Sequence, residues 1–170
     1  MQEQWKKLEA WLQHNDSKGF ADLNPSAADL DIQKLEKNLG AKLPIDFTQS
    51  LKTHNGQQGN AGSLFSKGRY LRLDEILSEW SVWCDLLKQG EFDDRSSDPD
   101  QGIKQGWWNT GWIPFVSNGR GDHLCLDLDP APGGCSGQVI EVSHDFESRS
   151  LVSSGFRQWF SSEVEIMCNE

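Results

Sequence analysis

Residues 107–142, with the sequence WWNTGWIPFVSNGRGDHLCLDLDPAPGGCSGQVIEV, contain the pattern that decides the fold. Residues 112–116 are rich in aromatic and β-branched side chains, and residues 117–122 have a composition typical of a turn. In residues 123–129 leucines alternate with other side chains, which is the period-two pattern of a half-buried antiparallel strand. The sequence therefore predicts a β-hairpin with one buried and one exposed face.

A third strand is predicted at residues 138–142, after a segment rich in proline and glycine. Three strands joined by short connections favour an antiparallel meander. Helical patterns precede these strands, and another follows them. This order predicts an α+β fold in which an antiparallel β-sheet packs against several α-helices, and it disfavours a parallel, doubly wound sheet.

Apolar residues at helical spacing predict five helices around these strands. Their approximate ranges are 3–14, 24–40, 44–54, 74–88 and 155–168. Two further short strands are predicted at residues 63–65 and 69–73. Most of the eight tryptophans lie on the apolar side of these elements and are predicted to be core residues. Trp107 and Trp108 are interpreted as partly buried anchors rather than as exposed binding residues.

Several short motifs carry information through their order and spacing. In the quoted stretch they are Trp112-x-Pro114, Gly119-x-Gly121-Asp122, Cys125-x-Asp127-x-Asp129-Pro130 and Gly137-Gln138-Val139-Ile140. Outside it they are Leu43-Pro44-x-Asp46-Phe47, Asn55-Gly56-Gln57 and Ser154-Gly155-Phe156-x-x-Trp159-Phe160. Together they resemble the SUKH superfamily, in its branch of cell-wall-assembly regulators and bacterial immunity proteins. The resemblance implies a single SUKH-like domain over residues 1–170 that binds proteins and is not an enzyme.

The composition is acidic, with 26 Asp and Glu against 16 Lys and Arg and a formal net charge of -10. Such a surface repels nucleic acid and suits a basic protein partner. A net negative charge is equally typical of a protein in which the charge serves only solubility. No stretch is long and apolar enough for a transmembrane helix, and the first residues lack a signal-peptide pattern. We therefore predict a cytoplasmic monomer or weak dimer with a protein partner and without nucleic acid or membrane contacts.

The predicted partner-binding surface combines a loop with a strand face. Residues 89–105 are polar and acidic and are predicted to form a mobile loop within the domain. The exposed side of the hairpin forms the second part. The candidate residues are Asp93, Asp94, Asp98, Asp100, Arg120, Asp122, His123, Asp127 and Asp129.

Two functions are compatible with the resemblance. The first is an immunity protein that binds and occludes a basic toxin, such as a nuclease. The alternative is a regulatory module of cell-wall or envelope synthesis, which binds either partner enzymes or a small ligand in a pocket between the sheet and the helices. The sequence names neither the toxin nor the regulatory target.

No catalytic residue is predicted. The four cysteines have no CxxC spacing and are predicted to be free thiols. His54 and a cysteine could in principle form a nucleophile pair, but no local motif supports such a site. Arg120-Gly121-Asp122 is interpreted as a tight turn with positive φ at its glycines and with Asp122 bonded to the local backbone.

No metal or cofactor is predicted either. His123, Cys125, Cys135 and His144 contain zinc-binding groups, but their spacing is unusual for zinc. The acidic residues 93–100 lack the central glycine and the terminal glutamate of an EF-hand loop.

Overall fold

The fold combines six α-helices with a six-stranded β-sheet in a computed structural model that describes residues 1–169. The helices are α1 (Gln2–Asn15), α2 (Ser17–Ala21), α3 (Asp29–Leu39), α4 (Ile45–Leu51), α5 (Leu73–Lys88) and α6 (Phe156–Asn169). The strands are β1 (Arg69–Tyr70), β2 (Asp98–Pro99), β3 (Trp112–Ser117), β4 (His123–Asp127), β5 (Gln138–Val142) and β6 (Ser148–Ser153). This architecture confirms the predicted α+β class. Each helix among these residues is too short or too polar to cross a membrane.

The sheet has the strand order β1-β3-β4-β5-β6-β2. Neighbouring strands from β1 to β6 pair antiparallel, which confirms the predicted meander of β3, β4 and β5. The exception is β2, which pairs parallel with the start of β6. The sheet is therefore mixed at one edge rather than antiparallel throughout.

Some local elements differ from those predicted. The second predicted helix begins only at Asp29, because Ala28 is extended (φ -75°, ψ 146°) and the Ala27 N–H is bonded to the Leu51 carbonyl. Residues 63–65 form no strand, and Phe65 makes only an isolated bridge. The short helix α2 and the strand β6 were not predicted from sequence.

One face of the sheet, here called the helix face, packs against α4 and α6. Its residues include Ile113, Phe115, Leu124, Leu126 and Val139. The Phe115 ring meets those of Phe47, Phe156 and Trp159 edge-on, at centroid distances of 5.7, 5.5 and 4.9 Å. Each such pair contributes about 1 kcal/mol beyond the burial of its area. This face is the apolar core that the leucine alternation predicts.

The opposite face, here called the loop face, is also buried, so the prediction of one exposed sheet face is wrong. Its residues include Trp112, Cys125, Ile140 and Val142. The end of α5 and residues 103–108 cover it. Trp83 of α5 stacks on Trp108 at 5.1 Å, and Trp108 packs edge-on against Trp112 at 5.9 Å. Trp107 and Trp108 are therefore buried anchors, in agreement with the sequence interpretation.

Candidate protein-binding surface

The candidate residues lie at two ends of the sheet. The β3–β4 turn and the β5–β6 turn share one end, where β2 also begins, since the Asp98 N–H donates to the Glu147 carbonyl at 2.8 Å. Residues 93–98, 118–122 and 143–148 are here called the acidic sheet end. It contains five of the nine candidates: Asp93, Asp94, Asp98, Arg120 and Asp122.

The β3–β4 turn is shaped by glycine and asparagine. Gly119 and Gly121 have φ values of 74° and 102°, which confirms the predicted positive φ at both glycines. The Asn118 Oδ1 accepts the N–H groups of Arg120 and Asp122 at 2.8 and 3.2 Å. The side chain that accepts from the local backbone is therefore that of Asn118 and not that of Asp122, whose main-chain carbonyl accepts the Asn118 N–H at 3.2 Å. Arg120 is exposed at the tip of the turn.

Asp122 instead joins the two turns of the acidic sheet end. Its Oδ1 accepts hydrogen bonds from the His144 backbone N–H at 3.0 Å, the His144 Nδ1–H at 2.9 Å and the Ser143 hydroxyl at 3.0 Å. Burial by itself raises the pKa of Asp122, but these bonds outweigh burial and lower the pKa to about 2. Asp122 is thus a fixed negative charge at neutral pH.

The acidic segment 91–100 is attached to the protein at several points, including the following three. Phe92 stacks on the Trp83 ring at 5.5 Å. The Arg95 guanidinium lies 4.6 Å from the centroid of the Trp107 ring. The third attachment is the pairing of β2 with β6. Mobility of this loop stays a prediction, but these contacts leave only short stretches free, including the two exposed aspartates between Phe92 and Arg95.

Arg149 of β6 holds the same region from inside the protein. Its fully buried guanidinium also lies over Trp107, at 4.7 Å. It donates to the carbonyls of Phe146, Ser148 and Trp107 at 2.8, 2.7 and 2.7 Å. Burial lowers the pKa of Arg149 to about 10, so the group is charged at neutral pH. Because its hydrogen bonds go to carbonyls, the charge of Arg149 is not bonded to the nearby surface carboxylates.

His123 and Asp127 are not surface residues, although both are predicted to bind a partner. Only 2% of His123 and 0% of Asp127 are exposed. The His123 Nε2 lies 3.0 Å from Oε2 of Glu79, and this hydrogen bond lowers the pKa of Glu79. Burial raises the pKa of Asp127, whose Oδ2 accepts from the Gln138 side chain at 2.8 Å. The alternation assigns both to one face, but no local pattern shows that distant residues cover that face.

Asp129 and Asp100 lie outside the acidic sheet end. Asp129 follows β4 at the opposite end, where it accepts from Lys104 at 2.6 Å and from Asn109 at 3.0 Å. The bond to Lys104 lowers the pKa of Asp129. The Asp100 Oδ2 accepts the Leu151 N–H at 2.7 Å. Partner binding by either residue stays a prediction.

The acidic sheet end contains six carboxylates and two guanidinium groups. All of the carboxylates are exposed except Asp122, which is half-buried. Asp145 and Glu147 belong to this set but were not predicted, because their position depends on β6. Exposed charges interact appreciably only within about a Debye length of one another, about 8 Å at physiological ionic strength. With six carboxylates against two guanidinium groups, the surface has a negative charge that favours the approach of positively charged groups.

The structure does not bring Cys125 and His54 together as a nucleophile pair. Burial raises the pKa of the Cys125 thiol well above its usual range, which keeps it unreactive. His54 packs on Trp5 at 4.8 Å, on the other side of the sheet from Cys125. Within residues 1–169 no three His, Cys, Asp or Glu side chains converge as metal ligands.

The alternative function with a small ligand predicts a pocket between the sheet and the helices. In the structure, aromatic rings fill the space between the helix face and these helices. A depression of about 490 Å³ lies instead between α1 and α4 at the surface. It is lined by Met1, Gln2, Glu3, Gln49, Lys52 and Thr53.

Comparison with known proteins identifies regulators of the cell wall. A family model described as the SMI1 / KNR4 family (SUKH-1) matches residues 26–162. The chain is 24% identical to a glucan synthesis regulatory protein of Neurospora crassa, over 95% of this chain and 37% of that protein. It is 27% identical to a cell wall biosynthesis/cell cycle regulator of Schizosaccharomyces pombe (92% and 33%). It is 22% identical to a cell wall assembly regulator of Saccharomyces cerevisiae, over 95% of this chain and 40% of that protein. The chain thus spans about a third to two-fifths of the length of these relatives.

Proposed function

The chain belongs to the SMI1 / KNR4 family (SUKH-1), and on this basis we propose that it is a non-enzymatic regulatory module of cell-wall synthesis that acts by binding partner proteins. The observation that carries the proposal is the match of nearly the whole chain to proteins named as regulators of glucan or cell-wall synthesis. We treat residues 1–170 as one SUKH-like domain. We place it in the cytoplasm, where its four free thiols are stable.

The acidic sheet end is the binding surface in this proposal. Its exposed carboxylates are held in place by Asp122, Arg149 and β2, so a partner meets a largely preformed surface. A basic segment of a partner would approach faster and bind more tightly at low salt. The matching residues on the partner are lysines or arginines.

The regulatory alternative is preferred to the immunity interpretation. The names of the relatives describe regulation of wall or glucan synthesis, whereas occlusion of a toxin has no such support here. An immunity protein with a basic toxin would use the same acidic surface, so the two hypotheses differ in the partner and not in the surface. They are separated by the phenotype: regulation alters wall synthesis, and immunity protects against a toxin.

The test combines three charge reversals in the acidic sheet end, Asp93→Lys, Asp94→Lys and Asp98→Lys. Partners are captured from the source organism with the full chain, and the affinity of a captured partner is measured at several salt concentrations. We expect the triple variant to bind at least about tenfold more weakly, with a flatter salt dependence. In cells that lack the gene, the variant should also fail to restore tolerance to wall-digesting enzymes.

A matched control carries the same change in net charge elsewhere, through Glu3→Lys, Asp85→Lys and Glu165→Lys on the outer sides of α1, α5 and α6. This control should keep the affinity of the original protein within about twofold. Equal loss in both variants would show that only total charge matters and would contradict the assignment of the surface. Rescue of cells from a toxin, without any effect on the wall, would replace regulation by immunity.

A further inference from the structure

We propose that the outer edge of β6 is a docking site for an extended partner segment that carries both apolar and basic residues. The proposal deepens the function proposed above and rests on it, because it specifies the form of the partner beside the acidic sheet end. It follows from three features of β6: an unpaired edge, exposed apolar side chains and flanking carboxylates.

The outer edge of β6 is only partly paired. On one side the strand pairs with β5 along its length. On the other side β2 covers only Ser148 and Arg149, and no strand of the described residues pairs with positions 150–153. The Leu151 N–H points to this open side, where the Asp100 carboxylate accepts it at 2.7 Å. Since the N–H and C=O of a strand residue point to the same side, the Leu151 carbonyl also faces the open edge.

The same edge exposes apolar side chains. Phe146 is 71% exposed, Leu151 45% and Val152 41%. These are three of the seven large hydrophobic residues that are exposed in residues 1–169, and all three fall between positions 146 and 152. An open edge with exposed apolar residues invites strand pairing, and proteins normally avoid it with charges, proline or a covering element. Here β2 and the Asp100 carboxylate protect the edge only up to the Leu151 N–H, and the apolar side chains of Leu151 and Val152 stay exposed.

The register of β6 contributes to this exposure. The pairing of β5 with β6 shifts between Val139 and Ile140, and Val152 is the extra residue on β6. Such a bulge twists the strand and re-aims its side chains. Val152 therefore leaves the regular alternation, and its side chain lies at the surface beside that of Leu151.

The charges around the outer edge of β6 determine which kind of partner fits it. Asp98 and Asp100 border the start of β6 on one side, and Asp145 and Glu147 lie in the turn before it. All four carboxylates are exposed, whereas the cation of this strand, Arg149, is buried beneath the tryptophans. A segment that pairs with β6 thus meets apolar groups near Leu151 and negative charge near Ser148. Its apolar residues would cover Leu151 and Val152, and its basic residues would lie opposite the carboxylates.

In this geometry Asp100 acts as a removable cover for the edge. Its carboxylate occupies the hydrogen-bonding position that a carbonyl of the partner strand would take at the Leu151 N–H. Docking replaces that bond by a backbone hydrogen bond, and it frees Asp100 to pair with a basic side chain of the segment. This is recognition by strand addition, in which backbone bonds supply affinity and side chains supply specificity.

The probe for the test is a short synthetic peptide of alternating lysine and valine with blocked ends. Amide NMR spectra of the full chain are recorded during titration. We expect the largest shifts at residues 148–153, with a clear change at the Leu151 amide, and weaker binding at high salt. A peptide of the same composition with proline in its centre, which cannot pair along its length, should bind much more weakly.

The decisive variant is Val152→Glu, with Val82→Glu on α5 as its control, because both place one added negative charge at an exposed valine. Charge alone predicts that each variant binds the basic peptide slightly more tightly. Strand docking predicts that Val152→Glu weakens binding about five- to tenfold, while Val82→Glu does not. Tighter binding by Val152→Glu, or shifts confined to residues 93–98 and 118–122, would overturn the proposal.

The outcome is separable from that of the proposed function. If the triple charge reversal abolishes partner binding while Val152→Glu leaves it intact, the edge is not used and the acidic surface stands. If Val152→Glu weakens binding of the peptide while the charge reversal leaves partner affinity unchanged, the β6 edge binds an extended segment, but the partner does not depend on the acidic sheet end. Sedimentation that shows self-association through the edge, removed by Val152→Glu, would assign the edge to a second copy and overturn the proposal.

Discussion

The helix face and the loop face of the same sheet are both buried, but by different means. The helix face meets regular helices through aromatic and aliphatic side chains. The loop face meets the end of α5 and an irregular segment, and it encloses a guanidinium, a carboxylate and an imidazole. Among residues 1–169, four loop-face side chains keep a buried polar atom without a hydrogen-bond partner: Trp108, Trp112, His123 and Arg149. On the helix face Trp159 keeps one such atom.

The two faces of this sheet therefore differ in their expected contributions to stability and to the binding surface. Buried polar atoms without partners each cost on the order of 1–3 kcal/mol, which offsets part of the gain from the tryptophans. The helix face carries no comparable set of buried charges. We therefore expect the helix face to dominate global stability and the loop face to open locally, next to the surface that is proposed to bind partners.

The largest effect should come from Phe115→Ala on the helix face. The substitution removes a fully buried ring that contacts three others, so we expect the free energy of unfolding to fall by about 3–5 kcal/mol. Urea unfolding measures this change. Phe146→Ala, which removes an exposed phenylalanine, is the control and should alter stability by less than about 0.5 kcal/mol. Similar losses of stability in both variants would contradict the dominant contribution of the helix face.

Arg149→Met should give a smaller and more local effect on the loop face. Three carbonyls lose their hydrogen bonds to the guanidinium. Those of Phe146 and Ser148 belong to exposed residues and can bond to water, whereas that of Trp107 is buried. We expect a loss of about 3 kcal/mol, with faster amide hydrogen exchange in residues 91–106 than on the helix face. Arg95→Met loses only a surface contact with Trp107 and should cost about 0.5 kcal/mol. Uniformly faster exchange would show that the two faces open together.

The smallest effect concerns Asp122, whose ionisation links the turns beside the loop face. Its pKa is lowered to about 2 from 3.8, so its contribution to stability is complete above about pH 4 and is lost as the pH falls towards 2. Because Asp122 is partly exposed, screening limits this contribution to about 1 kcal/mol. In urea unfolding between pH 2 and 5, Asp122→Asn should show a shallower loss of stability with acid than the original protein. Asp94→Asn, an exposed carboxylate in the same region, should follow the original curve.

The parts of the fold that the sequence predicts well are those in which each element shows its own pattern. The leucine alternation locates β4 and its apolar side, and helical stripes locate α1, α4, α5 and α6 within a few residues. β6 escapes this reasoning because its pattern is inverted. Its charged residue Arg149 is buried, whereas its apolar residues Leu151 and Val152 are exposed. The hydrophobic pattern of this segment therefore does not predict a strand of the sheet.

Only part of the candidate surface could be predicted, because local pattern gives the direction of a side chain but not its burial. Alternation places His123 and Asp127 on one side of β4, but a polar side is not always a solvent side. His123 shows why, since its hydrogen-bond partner Glu79 and the nearby ring of Trp83 precede it by 44 and 40 residues. Asp145 and Glu147 join the surface only because β6 pairs with β5 and β2.

By itself the sequence determined the α+β class, the acidic charge, the central meander and the family resemblance. These properties follow from local periodicity, composition and short motifs, which are encoded within a few neighbouring residues. The tertiary structure alone decided that both sheet faces are buried and which carboxylates stay at the surface. It also left one strand edge open. The physical reason is that the side to which a residue points is a local property of the backbone, whereas burial depends on which distant segment packs over it.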